Sequence, residues 1–234
     1  MAGRLEDRIA LVTGASRGIG AAVARRFAAE GAKVILVART QGGLEEIDDE
    51  IRAAGGSAVL SPMDLTDFAK IDQMGGAIFE RFGRLDILVG NAGVLGGLSP
   101  VGHYDPKTWQ RVIDVNLTAN YRLIRSFDPL LRQSDAGRAI FVTSGAARAA
   151  HPYWGAYAAS KAALETLVRT YAAEVVKTSI RANLVDPGAV RTAMRAEAYP
   201  GEDPLTLPRA EDIAETFVTL AEPACQRTGE VVGA

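Results

Sequence analysis

The 234-residue sequence is poor in cysteine and carries almost no net charge. Cys225 is the only cysteine, so an intramolecular disulfide is impossible and a reducing compartment is expected. The formal net charge of -2 gives no sign of the strongly basic surface that nucleic-acid binding requires. A chain of this length buries enough surface to fold without disulfides or a bound metal, and we predict no metal site.

Long hydrophobic runs are also missing. The first apolar run, residues 9–12, is far too short for the core of a signal peptide, and no stretch approaches the roughly 20 apolar residues of a membrane helix. We therefore expect a cytoplasmic protein with no membrane partner. The sequence has no charge block, low-complexity segment or internal repeat, which predicts a single domain over residues 1–234.

What the sequence does contain is a regular alternation of short apolar runs and longer amphipathic segments. The apolar runs are too short for helices and are predicted strands: residues 9–13, 34–37, 58–60, 85–89, 139–143 and 180–185. Predicted helices cover residues 20–30, 44–54, 68–82, 106–131, 156–177 and 211–221. This alternation predicts an α/β fold with a doubly wound parallel sheet, the Rossmann fold, in three α/β/α layers.

A glycine-rich turn follows the first predicted strand and opens the first helix. Gly14, Gly18 and Gly20 have the spacing Gly-x-x-x-Gly-x-Gly. Glycines at this place let the backbone approach a pyrophosphate and bring the free N–H groups of a helix N-terminus against it. We interpret the turn as a dinucleotide-binding site, with a ligand-free glycine turn as the alternative.

The end of the second strand indicates which dinucleotide is bound. A protein that uses NAD normally has an acidic residue there, which holds the adenosine ribose. This sequence instead has Ala38, which leaves room, and Arg39, whose guanidinium suits a 2′-phosphate. Arg17 in the glycine turn is placed to approach the same phosphate. The alternative is that both arginines are solvated surface residues, but together they favour NADP(H) over NAD(H).

A tyrosine and a lysine stand four residues apart at the start of a long predicted helix. Tyr157 and Lys161 are therefore expected on one helix face. At about 4 Å and an effective dielectric near 20, the ammonium would stabilise the phenolate by on the order of 4 kcal/mol, or about three pKa units. Ser144 ends the fifth strand, where a hydroxyl can bond a substrate carbonyl, and Asn116 lies inside a predicted helix. Taken singly, each could be an ordinary polar residue.

Together, Asn116, Ser144, Tyr157 and Lys161 resemble in order and spacing the catalytic tetrad of the short-chain dehydrogenase/reductase family. The glycine turn has that family's form, and the resemblance covers nearly the whole chain. It implies an NADP-dependent oxidoreductase that moves a hydride between nicotinamide and the carbonyl or alcohol carbon of a small or medium organic substrate. Tyr157 would then be the general acid/base, and Lys161 would lower its pKa and bind the nicotinamide ribose. Ser144 would orient the carbonyl, and Asn116 would anchor a water in a proton relay.

The resemblance also assigns cofactor contacts. Asp64 matches an adenine-contacting aspartate, the Asn91–Gly93 segment matches a motif that ends the fourth strand, and the segment from Pro187 to Thr192 matches one that holds the nicotinamide carboxamide. The predicted cofactor-binding residues are Gly14, Ser16, Arg17, Gly18, Ile19, Gly20, Ala38, Arg39, Asp64, Leu65, Asn91, Ala92, Gly93, Tyr157, Lys161, Pro187, Gly188, Val190 and Thr192.

Substrate contacts are expected in two segments near the tetrad. His151, Tyr153 and Trp154, with Ser144 and Tyr157, are the predicted substrate-binding residues, and the Pro/Gly-rich residues 189–208 are a predicted lid. Two other functions stay open at this point, a 3-oxoacyl-carrier-protein reductase and a non-catalytic NADP-binding sensor. The resemblance disfavours the first, because carrier-protein reductases of this family have arginines that dock the acidic carrier at two positions where this sequence has Asp135 and Thr178.

Two departures from the family pattern affect the chain's second half. Asp186 stands where asparagine commonly precedes Pro-Gly, and residues 228–234 lack the usual Asp-Gly-Gly ending, so a short last strand is expected. The family resemblance implies a homodimer through the two long helices, residues 106–131 and 156–177. A homotetramer would need a further contact at the shortened last strand.

Overall fold

Seven parallel strands form one sheet at the centre of the molecule. The computed structural model describes residues 3–234, and its strands are β1 (Ile9–Thr13), β2 (Lys33–Ala38), β3 (Ser57–Pro62), β4 (Ile87–Gly90), β5 (Arg138–Val142), β6 (Arg181–Asp186) and β7 (Val231–Gly233). Their spatial order is β3-β2-β1-β4-β5-β6-β7, and each neighbouring pair is parallel. Since helical crossovers cover both faces of such a sheet, β1, β4 and β5 are buried along their whole length.

Helices pack on both faces of this sheet. They are α1 (Gly18–Ala29), α2 (Gln41–Ala53), α3 (Phe68–Phe82), α4 (Pro106–Ile113), α5 (Ala119–Leu131), α6 (Gly155–Glu174), α7 (Ala193–Ala198) and α8 (Ala210–Ala221). Alternate residues of β1 enter different cores, Val12 with residues of α1, α2 and α8, and Leu11 with residues of α3, α5 and α6. The predicted three-layer Rossmann fold is thus confirmed. Of the helices described, none is long and apolar enough to span a membrane.

The chain reverses its winding direction at β1, which pairs with β2 on one side and β4 on the other. Crevices for ligands form at the carboxyl ends of the strands at such a switch point. Thr13 ties the two strand ends together, because its hydroxyl donates to the Val89 carbonyl (3.1 Å) and accepts the N–H groups of Asn91 (3.0 Å) and Ala92 (3.1 Å). The floor of the crevice is therefore fixed by one buried side chain.

The structure differs from the sequence-based expectation in two segments. The helix predicted over residues 106–131 is interrupted by a π-helical turn, Asp114–Thr118, which joins α4 to α5. Such a turn is a single local change within a helix-length segment, so the overall apolar spacing still predicts one helix. The predicted lid, residues 189–208, is not wholly irregular, because it contains α7, whose N-cap Thr192 accepts the Arg195 N–H at 3.2 Å.

Candidate active site

A cavity of about 700 Å³ opens at the carboxyl ends of the central strands. It reaches from the glycine turn and the end of β2 to the start of α6. The predicted site residues on its wall are Gly14, Ser16, Arg17, Gly18, Ile19, Ala38, Arg39, Asp64, Leu65, Asn91, Ala92, Gly93, Ser144, Trp154, Tyr157, Lys161, Pro187, Gly188, Val190 and Thr192. Gly20, Asn116, His151 and Tyr153 lie outside that lining. Within residues 3–234, no group of three or more His, Cys, Asp or Glu side chains is arranged to hold a metal ion.

Each glycine of the turn meets a different steric demand. Gly14 has a φ of +67°, and a Cβ there would lie 2.8 Å from Asn91 Nδ2. A Cβ on Gly20 would lie 2.3 Å from the Gly14 carbonyl oxygen, so this glycine lets α1 pack against the turn. Gly18 has a φ of +57°, but a Cβ there would meet nothing closer than Thr192 Cγ2 at 3.6 Å. Packing thus requires Gly14 and Gly20, while Gly18 borders open space.

The end of the cavity near β2 favours an anion. No side chain caps the N-terminus of α1, and its first turn has no acidic residue, so its first N–H groups are left for a ligand. Arg17 and Arg39 are exposed there, and neither is ion-paired within the part of the chain described. The strand β2 ends at Ala38 without a carboxylate. This end therefore combines a helix N-terminus with two available cations.

Asp64 is held on the cavity wall by an arginine that no sequence motif predicts. Arg111 of α4 donates to Asp64 Oδ2 at 3.0 Å and to the Thr66 hydroxyl at 2.8 Å. Thr66 donates its N–H (2.9 Å) and hydroxyl (2.8 Å) to Asp64 Oδ1. Burial works to raise the pKa of Asp64, but these hydrogen bonds outweigh it and hold that pKa at about 2. Asp64 is therefore a fixed carboxylate.

Tyr157 lies in the first turn of α6 at the far end of the cavity, and only 9% of it is exposed. The Trp154 ring packs edge-on against it, with centroids 5.8 Å apart. Burial raises the pKa of the Tyr157 phenol, hydrogen bonding with Ser144 lowers it, and the charge of Asp186 raises it further. Because the net change is an increase, the phenol is protonated at neutral pH.

Lys161 follows one turn later on α6 and is almost fully buried. Its Nζ donates to the Val142 carbonyl at 2.7 Å and lies 5.7 Å from the centroid of the Tyr157 ring. Burial lowers the pKa of Lys161 to about 8. The structure thus differs from the expected ammonium–phenol contact, since the ammonium is bonded to the end of β5 and desolvation raises the pKa of Tyr157.

Asn116 lies behind the cavity wall, within the π-helical turn, and is fully buried. Its Oδ1 accepts the Val94 N–H at 2.9 Å, and its Nδ2 donates to the Val94 carbonyl and the Ser160 hydroxyl, both at 3.0 Å. The side chain thereby fastens Val94, which lines the cavity, to α6. Its backbone carbonyl accepts a bond from Asn120 Nδ2 at 2.8 Å. The expected water relay at Asn116 stays a prediction.

A second arginine missed from the sequence joins the ends of two strands to α6. Arg148 donates to Glu165 Oε1 at 2.6 Å and to Asp186 Oδ2. Glu165 is buried and also accepts the Thr143 hydroxyl at 2.9 Å. Asp186 Oδ1 accepts the Gly188 N–H at 3.2 Å, which shapes the segment that follows β6. Local sequence gives no signal for this network, because its members meet only in the folded chain.

Of the predicted substrate contacts near α6, Trp154 lines the cavity. The His151 ring lies 6.2 Å from that of Trp154 on the outer side, and Tyr153 is 56% exposed. Substrate contact by His151 and Tyr153 stays a prediction. In the predicted lid, residues 190–195 and Ala198 border the cavity.

Known proteins share this sequence and architecture. Residues 8–203 match the family model of the short chain dehydrogenases. The oxidoreductase YciK of Escherichia coli K12 is 38% identical over 230 residues, which cover 96% of this chain and 90% of that protein. A solved short chain dehydrogenase structure from Pseudomonas syringae is 38% identical with a TM-score of 0.96, covering 100% of this chain and 96% of that one. Another solved structure, from Escherichia coli CFT073 and complexed with NADPH, is 38% identical with a TM-score of 0.95. The match covers 100% of this chain and 98% of that one.

These similarities extend over nearly all of the chain. They include the part that carries the glycine turn, the switch point at β1 and the start of α6. The chain therefore belongs to the short chain dehydrogenase family of oxidoreductases.

Proposed function

We propose that this chain is an NADP(H)-dependent oxidoreductase that moves a hydride between nicotinamide and the carbonyl or alcohol carbon of a small or medium organic substrate. One observation carries the proposal: a single cavity joins the cationic end at Arg17 and Arg39 to the buried Tyr157 and Lys161. The NADPH complex of the relative from Escherichia coli CFT073 supports the choice of cofactor.

The cavity wall fits a phosphorylated dinucleotide. The uncapped N-terminus of α1 beside Gly18 suits a pyrophosphate, and Arg39 with Arg17 suits a 2′-phosphate. Farther in, a Cβ on Gly93 would lie 3.7 Å from Lys161 Nζ, so this glycine keeps the space beside the ammonium clear. Thr192 and Val190 also line the cavity.

When bound, the cofactor supplies or accepts the hydride. During reduction Tyr157 gives its proton to the carbonyl oxygen, and its raised pKa keeps that proton in place at neutral pH. The Ser144 hydroxyl orients the same oxygen. Lys161, with a pKa of about 8, is charged at pH 7 and favours negative charge on the phenol or the substrate oxygen. The protein as built therefore favours reduction near neutral pH and oxidation at higher pH.

The proposal is tested by following NADPH consumption over aldehydes, ketones, quinones and β-ketoacyl thioesters. We expect turnover that Tyr157→Phe lowers by about 10²–10⁴-fold, because the general acid is lost, with NADPH binding retained. Tyr121→Phe, at an exposed tyrosine on α5, is the matched control and should leave turnover unchanged.

Two results would overturn parts of the proposal. NADPH binding without turnover on any substrate, in either direction, would indicate a sensor and not an enzyme. Turnover with a preference for NADH over NADPH would leave the oxidoreductase assignment intact and remove the role given to Arg39.

A further inference from the structure

Around Tyr157, part of the cavity wall is hydrocarbon and aromatic surface. Tyr157 and Leu95 belong to a small core cluster distinct from the two large cores, and Trp154, Met194 and Ala198 pack against it. All five line the cavity. A group attached to a carbonyl carbon beside the phenol therefore meets apolar side chains, which favour apolar groups over charged ones.

One of the two arginines that border this side of the cavity is already neutralised. Arg195 borders the cavity next to Met194. Its Nε and Nη2 donate hydrogen bonds to the Glu202 carboxylate at 2.6 and 2.7 Å. The same guanidinium stacks on the Tyr199 ring, 3.8 Å from its centroid. Arg191 also lines the cavity; it donates to the Leu207 carbonyl at 3.4 Å and has no carboxylate partner among the described residues. A substrate carboxylate that paired with Arg195 would have to displace Glu202 from its bidentate pair.

Outside the cavity, the apolar surface continues over two joined segments. Tyr153 has a left-handed φ of +74°, which is rare for a bulky residue, and its carbonyl accepts the Ser99 N–H at 3.1 Å. This bond joins the segment before α6 to the one that carries Leu98 and Val101. Val101 lies over Gly155, where a Cβ would come within 2.8 Å of its Cγ2. Leu98, Val101 and Tyr153 are 41%, 71% and 56% exposed and form an apolar ledge beside Trp154.

We infer that the site takes an uncharged carbonyl compound or alcohol with an extended apolar chain. The chain would start between Trp154 and Met194 and leave the cavity over the ledge of Leu98, Val101 and Tyr153. This inference rests on the proposed oxidoreductase function and specifies its substrate class. Two observations carry it: the apolar cluster on the inner wall, where Glu202 neutralises Arg195, and an exposed tyrosine with a strained backbone next to Trp154.

The test is a series of methyl ketones of increasing chain length, from butanone to decanone, reduced with NADPH. We expect kcat/KM to rise about fourfold for each added methylene as long as the chain is covered by apolar surface. Keto acids of equal length, with a carboxylate at the far end of the chain, should fall well below the matching ketones.

Variants separate the inner wall from the ledge. Trp154→Ala should reduce the rise of kcat/KM with chain length from the shortest ketones onward. Tyr153→Gly should flatten it only for the longer ones, and because glycine accepts a left-handed φ this variant keeps the backbone. Phe79→Ser, at an exposed phenylalanine on α3, is the control and should leave the series unchanged.

The outcomes distinguish this inference from the function on which it rests. Reduction that is independent of chain length, or that favours the keto acids, overturns the substrate class and leaves the oxidoreductase function standing. Quenching of Trp154 fluorescence by decanone, lost in Trp154→Phe, supports the apolar site even where turnover is absent, and that absence counts against the proposed function. The absence of both turnover and quenching would overturn the inference.

Discussion

The Arg148 guanidinium is ion-paired with the Asp186 carboxylate beside the end of β5. A Cβ built on Gly145 would lie 3.8 Å from Asp186 Oδ2, so the carboxylate borders the residue that follows Ser144. Burial is the main cause that raises the pKa of the Tyr157 phenol, and the negative charge of Asp186 adds to it. Arg148 offsets part of that charge, so the pair influences how readily the phenol gives up its proton.

Asp186→Asn removes this charge and keeps an oxygen that can accept the Gly188 N–H. Without the neighbouring anion the phenolate forms more easily, so the pKa of Tyr157 falls. Alcohol oxidation needs the phenolate, and its rise with pH should therefore begin at lower pH. Ketone reduction needs the phenol and should decline at lower pH than in the wild type. Profiles of kcat/KM against pH in both directions measure the shift.

Arg148→Met should have the opposite effect, because it removes the cation that offsets the negative charge of Asp186. Its profiles should move to higher pH, while the Arg148→Met/Asp186→Asn double variant should behave like Asp186→Asn. Lys161, the charged group that faces the phenol from α6, is the same in all three variants. Coincident profiles for Asp186→Asn and the wild type would show that Asp186 does not act on Tyr157.

Lys161 should make the cofactor-free protein less stable at neutral pH. Burial lowers its pKa from 10.5 to about 8, so between these values the unfolded chain binds the proton that the folded chain releases. Stability attributable to this group therefore rises from pH 8 to 10.5, and below pH 8 the buried ammonium costs on the order of 3 kcal/mol. Replacing Lys161 also removes its hydrogen bond to the Val142 carbonyl, and this loss costs about 1 kcal/mol, which offsets part of the gain in stability.

Lys161→Met should accordingly have a higher free energy of unfolding than the wild type at pH 6.5. The difference should shrink as the pH rises from 8 past 10.5, because above the unfolded-state pKa of 10.5 the lysine becomes neutral in both states. Urea unfolding at several pH values measures it, and subtracting the wild-type curve removes the contribution of other titrating groups. A difference that does not vary with pH would contradict the lowered pKa.

The sheet and the residues along the cavity wall could be predicted because their signals are local. Strand runs, the spacing of Gly14, Gly18 and Gly20, and the i, i+4 placement of Tyr157 and Lys161 are all visible in short windows of sequence. The partners of those residues are set by tertiary proximity. Lys161 forms a hydrogen bond with Val142 in a different element. Burial, which a short stretch of sequence does not reveal, raises the pKa of Tyr157 where the sequence predicted a lowered value.

Arg39 should determine the preference between the two nicotinamide cofactors. It is exposed at the end of β2 and has no ion pair within the described residues, so its charge is available to a 2′-phosphate. Hydrogen bonds to a charged group contribute about 1.5–3 kcal/mol, which is about ten- to a hundredfold in binding. Arg39→Ala should raise the Kd for NADPH by that factor and leave the Kd for NADH nearly unchanged.

The control for Arg39 is Arg209→Ala, which removes the same charge from an exposed position at the start of α8. It should change neither Kd. Calorimetric titration with both cofactors distinguishes the outcomes. Equal weakening of NADPH and NADH by Arg39→Ala would assign the residue to the pyrophosphate or to the fold, and would remove the argument for NADP(H) at this strand.

Arg111 should affect cofactor binding through Asp64 without affecting the chemical step. It bonds Asp64 at 3.0 Å on the cavity wall, whereas Tyr157 lies on another helix at the far end. Arg111→Met frees the carboxylate to move, and loss of one such positioning bond costs about 1 kcal/mol, or about fivefold in Kd for NADPH, with kcat unchanged. Arg122→Met breaks a comparable pair with Asp72 between α5 and α3 and should leave the Kd unchanged, since that pair lies outside the cavity lining. A fall in kcat with no change in Kd would place the role of Arg111 in the catalytic step and not in the adenosine end of the site.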